Sequence, residues 1–174
     1  MKLNPMRAKQ IVAVVVLLSV TFLIVYPPLA NSNVKIAASS SSPVDAEHLY
    51  LTIGEISAHR ADTREPSGWF TVANQSSRID LAAVNSTQTI ALGSVSLGQY
   101  DMIRVRIANA TAIVNNTSKR VQLPFTLFTI PVSFLVQLGA QTAVALKIIP
   151  ELQETPEVFS LKLSFTAIQE NPAP

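Results

Sequence analysis

The chain has 174 residues, no cysteine and a formal charge of +2. Lacking cysteine, it can have no disulfide framework, thiol nucleophile, zinc–thiolate site or lipoprotein anchor. With Lys2, Arg7 and Lys9 set aside, ten Lys/Arg face eleven Asp/Glu, and no basic run is longer than Lys119-Arg120, so nucleic acid is offered no electrostatic footprint.

Residues 1–10 form a basic segment, expected to stay in the cytoplasm. After them, Ile11 to Tyr26 carries no charge and is closed by Pro27 and Pro28. As a helix, sixteen residues reach about 24 Å, and extension to Ala30 gives about 30 Å, the thickness of a bilayer's hydrocarbon core. We therefore expect a transmembrane anchor over 11–30, with the basic side inside and everything later outside. A cleaved signal peptide is the alternative, and the protein would then be secreted. Against it, Pro28-Leu29-Ala30 places proline where a cleavage site needs a small residue. Residues 31–45, with Ser39 to Ser42 and Pro43, have the small polar composition of a flexible linker.

From residue 46 the apolar period is two. Leu49, Leu51 and Ile53 share a face, but Ile56 and Ala58 are out of phase, which predicts a bulge at Gly54-Glu55. Ile103, Val105 and Ile107 alternate with arginines. Val144, Leu146 and Ile148 form a third set, and Phe159, Leu161, Leu163 and Phe165 a fourth. Turn residues recur between them at Pro66-Ser67-Gly68, Asn74 to Ser77, Asn85-Ser86, Gly98, Asn115-Asn116 and Gly139. The expected fold is all-β, a single antiparallel β-sandwich of seven to nine strands over 46–170, with a tail at 171–174.

Three stretches resemble the prokaryotic domain of unknown function 4382, found in exported proteins of bacteria and archaea. They are LYLTIGEISAHR (Leu49 to Arg60) with Ser67-Gly68-Trp69-Phe70, then Ile79-Asp80-Leu81 leading into LGSVSLGQYDMIRVRI (Leu92 to Ile107), and Leu138 to Thr142. The turn before Gly98 is one residue shorter than the usual pattern, and the lipoprotein cysteine of many relatives is absent. The resemblance implies an extracytoplasmic β-sandwich, Ig-like or transthyretin-like, with no established activity and no functional residue to carry over. Gly98 is expected to make a tight turn, and Tyr100 to pack its ring at the sandwich edge with its hydroxyl on backbone.

Candidate chemistry is sparse. Five glycosylation sequons begin at Asn74, Asn85, Asn109, Asn115 and Asn116, most of them in expected turns. His48 and His59 lie in one expected strand, eleven residues or about 36 Å apart, too far to share a metal. Ser94 and Ser96 do not fit a nucleophile elbow. Glu151 and Glu154, with Glu157 just after it, mark an expected proline-flanked loop (150–156) without calcium-loop spacing. Arg104 and Arg106 should face solvent, with Asp101 and Asp80 as cross-strand partners. Trp69, beside a turn, is the candidate ligand residue, as a ring for stacking on a sugar. Phe125 to Leu138 is uncharged and is expected to form a core strand pair turning at Pro131; left uncovered, it would be a partner-binding edge.

These features predict no enzyme and no cofactor or metal. They predict a membrane-held cell-surface domain that binds or structures a protein or glycan partner. The alternatives are an archaeal pilin-like filament subunit, against which Pro27-Pro28 would break the packing helix, and a carbohydrate-binding module.

Overall fold

The computed structural model describes residues 31–154 and 158–170. The 11–30 anchor, the 171–174 tail and Glu157 lie outside these residues. Among the described residues, no helix is long and apolar enough to cross a membrane.

Ten strands follow in order: β1 (Asn31–Ser40), β2 (His48–Arg60), β3 (Trp69–Ala73), β4 (Ser77–Asp80), β5 (Gln88–Ser96), β6 (Gly98–Val114), β7 (Thr117–Gln122), β8 (Leu127–Val136), β9 (Thr142–Glu154) and β10 (Phe159–Glu170). The all-β expectation holds. The expected count of seven to nine strands does not, because all ten join one sheet in the order β3-β2-β6-β7-β10-β9-β1-β5, with β4 also on β2 and β8 also on β6. Nor is the pairing wholly antiparallel, since β1 runs parallel to β9 and β7 parallel to β10. The sheet curls until it is nearly a closed barrel. Its two margins meet where β5 passes β3: a β-carbon on Gly93 would lie 1.8 Å from the Val72 carbonyl oxygen, so this approach admits glycine alone.

The expected flexible linker is a correction. Residues 31–40 form β1, hydrogen-bonded to β5 on one side and β9 on the other. Its small side chains suit that central place: Ala37, Ala38, Ser32 and Ser40 are buried along with Val34 and Ile36. Two further expectations fail for related reasons. Phe125 to Leu138 is not a strand pair; β8 runs straight through Pro131, which sits at an irregularity in its pairing with β6. Likewise β9 continues through Pro150 to Glu154 instead of opening a loop. Its last pairing with β1 is at Ile148, so Pro150 lies where that edge has no further neighbour.

Elsewhere period two was a sound guide. Leu49, Leu51, Ile53, Ile56 and Ala58 are all buried, and Gly54 drops out of the register between Ile53↔Ile107 and Glu55↔Arg106. That bulge returns both halves of β2 to one core face. Buried side chains of β1, β2, β6, β8, β9 and β10 make one continuous core. Register also defines two ends. Asn31 pairs with Ser96, Gly98 with Val136, and Ser32 Oγ donates to the Ala140 carbonyl at 2.7 Å; this is the entry end. Opposite it, the far end holds the Val114–Thr117 turn and the Glu154↔Phe159 pair.

Candidate functional site

Tyr100 anchors the entry end. Its ring is fully buried, stacked on Phe134 at 5.2 Å with Phe70 edge-on at 6.4 Å, and its hydroxyl donates to the Ser96 carbonyl at 2.8 Å. Sequence reading foresaw that backbone bond. Burial raises the phenol's pKa; the nearby Arg60 charge opposes this and Asp62 adds to it.

Beside Tyr100, neighbouring strands gather a polar cluster. His59 pairs with Trp69 across β2 and β3 and with Met102 across β2 and β6. It is 2% exposed, and its Nδ1–H donates to Asp101 Oδ1 at 2.7 Å. Its Nε2 faces Thr63 Oγ1 at 3.5 Å. Hydroxyl, imidazole and carboxylate are thus aligned as in a nucleophilic triad, but the proton points elsewhere: the Thr63 hydroxyl donates to the Arg60 carbonyl at 2.7 Å. Gly68 also crowds it, since a β-carbon there would lie 1.8 Å from Thr63 Oγ1. The cluster locks the 61–68 loop onto the sheet.

The same lock covers Trp69. The Arg104 guanidinium lies 3.7 Å from the indole centroid and donates to Glu65 Oε1 at 2.9 Å, while the His59 ring stands 5.0 Å away. A sugar stacking on that face would have to displace Arg104. The expected partners of the arginines also change: Arg104 pairs with Glu65 and Arg106 with Glu55, because Asp101 and Asp80 are taken by His59 and His48. Asp80 accepts from His48 and from the Leu49 and Ala82 N–H groups. Burial works against its charged form, yet these hydrogen bonds and the His48 charge hold the carboxyl below the ordinary aspartate value. Among the described residues, no group of three or more His, Asp or Glu could hold a metal ion.

The five sequon asparagines are all exposed. Asn115 and Asn116 form the two-residue turn between β6 and β7, with φ of 50° and 60°, the left-handed pair that a tight hairpin requires. Asn85 is also left-handed, at 62°, and its N–H donates to the Ser40 carbonyl at the far end. Asn109 projects from β6, and Asn74 follows β3.

A cleft of about 1070 Å³ lies toward the far end, where β7 separates from the middle of β6. Asn109, Lys119, Arg120, Gln122, Glu154 and Phe159 are among the residues that line it. Neither Lys119 nor Arg120 joins an ion pair among the described residues. Sequence reading missed this site. Lys119-Arg120 registered only as a basic run too short for nucleic acid, and the cleft exists because β6 changes neighbour from β8 to β7, for which no local signal exists.

A model of the family described as Domain of unknown function (DUF4382) matches residues 31–165. The chain belongs to this family. The match begins at the first residue of β1, so the DUF4382 domain includes the strand that composition had assigned to a linker. No curated protein and no solved structure matches this DUF4382 chain.

Proposed function

We propose that this DUF4382 domain is a non-enzymatic recognition domain, held by its N-terminal apolar segment on the outer side of a membrane, whose far-end cleft takes an acidic glycan. The observation that carries the reading is the cleft itself: Lys119 and Arg120, which join no ion pair among the described residues, line it together with Asn109, Gln122 and Phe159. Carboxylate-bearing sugars need that combination of charge, fork-like amide hydrogen bonding and one apolar face. Export is supported by Lys2, Arg7 and Lys9 preceding an uncharged run. The absence of a reaction centre is supported by the Thr63 hydroxyl, whose proton is already given to backbone. In this reading the curled sheet acts as a flattened sandwich that displays its loops at two ends.

Asn109 and Asn115 both line the cleft, so a glycan attached to either would occupy it; intact mass of native material reports which asparagines carry sugar. Titration calorimetry with a uronic-acid oligosaccharide and its neutral counterpart tests the reading. Binding of the acidic sugar alone, lost in Lys119→Glu/Arg120→Glu, is expected. Equal binding by the double variant, or none by the native domain, contradicts it.

A further inference from the structure

The entry end is tied closely to whatever holds the N-terminal segment. With the expected anchor ending between Tyr26 and Ala30 and β1 beginning at Asn31, at most four residues separate the apolar segment from the folded domain. Four residues span at most about 14 Å even when fully extended. The headgroup layer on one side of a bilayer takes up about 5–8 Å of that. A domain of this kind cannot stand off on a stalk.

Three observations describe the surface brought so near. Leu138, in the turn between β8 and β9, is 72% exposed, and Leu135, opposite Gln99 near the same end, is 41% exposed. Ser32 fixes that turn to β1 through the Ala140 carbonyl, so Leu138 is held beside the point of chain entry. Of the ionic groups near this end, Arg60 pairs with Asp62, Arg104 with Glu65 and His59 with Asp101, whereas Arg64, Lys35 and Glu170 join no ion pair among the described residues and would be met by the polar headgroups rather than the lipid chains. Finally, no sequon lies here. Asn85, Asn115 and Asn116 are at the far end, Asn109 is level with Thr52, and Asn74 follows the β3 residue paired with Ile56.

We infer that the entry end is a membrane-docking surface: the turn carrying Leu138 rests in the headgroup layer of the bilayer that holds the chain, and the cleft faces away from it. This rests on the anchored reading above. It goes further by fixing which way the domain faces.

The cysteine-free sequence allows single-site labelling of the full chain. Ser19→Cys, Leu138→Cys and Ser118→Cys would each carry an environment-sensitive fluorophore in phosphatidylcholine vesicles, with a quencher borne on the lipid chains. Position 138 is exposed, so its substitution leaves the fold intact. The expected result is a blue-shifted emission and loss of most intensity to the lipid quencher at 19 and 138, with neither at 118. If 19 is quenched but 138 behaves like 118, the docking surface is wrong while the anchor stands. If 19 is not quenched, the anchored reading fails and takes the docking surface with it.

Discussion

At the entry end, Arg60 is gripped by Asp62, Arg104 lies between Trp69 and Glu65, His59 is clamped by Asp101, and the Tyr100 hydroxyl is returned to Ser96. At the far end, Lys119 and Arg120 stand over a wide cleft with no ion-pair partner among the described residues. Both regions are built on β6, and both contain the residue types that usually suggest chemistry. At the entry end these paired groups hold a loop in place, with the Trp69 Nε1–H and Arg104 Nε–H groups the exceptions that find no hydrogen-bond acceptor among the described residues. Polar groups left with open valences face a cleft large enough for a ligand. In the proposed reading the His59 cluster serves stability and the cleft recognition.

The contrast can be broken most forcefully at the seam that closes the sheet. Gly93→Val would drive a side chain into the Val72 carbonyl, and urea denaturation should show a loss of about 3 kcal/mol or more, or failure to fold. Next, Tyr100→Phe leaves the Ser96 carbonyl without its donor and should cost about 1–2 kcal/mol by the same measurement, with no change in glycan binding.

A smaller effect depends on pH. Asp80 is held below the ordinary value of 3.8, so its contribution is present above that pH and lost as pH falls through the lower folded value. Asp80→Asn should be less stable than the native chain at neutral pH, by about 1 kcal/mol or less, and the two should converge in acid. Least of all, Lys119→Ala and Arg120→Ala should alter stability by no more than about 0.5 kcal/mol. A large loss from either would move the cleft into the structural half of the comparison.

Much of the architecture was legible because half-buried strands advertise themselves. β6, β10 and the middle of β9 showed strict alternation, and the phase slip at Gly54 located a bulge before any partner strand was known. β1 stayed hidden because Asn, Ser and Ala have the composition of a tether. Only the strands on either side, fifty or more and over one hundred residues away in sequence, make small side chains the right ones there. Prolines misled twice. Pro131 and Pro150 both lie within strands, at an irregular pairing and beside a free edge, two places where a missing N–H breaks no ladder. At the sites, Trp69 was visible as an unusual ring, but Arg104 covers it from a different strand, and no spacing along one segment reveals that.

The central claim is that the folded domain stands outside the membrane that holds the chain, with its far end open to the surroundings. Ser118→Cys in the otherwise cysteine-free full chain, exposed to a membrane-impermeant maleimide on intact cells, tests it directly. The account predicts labelling of whole cells equal to that of lysed ones. Labelling only after lysis would place the domain on the other side and contradict it.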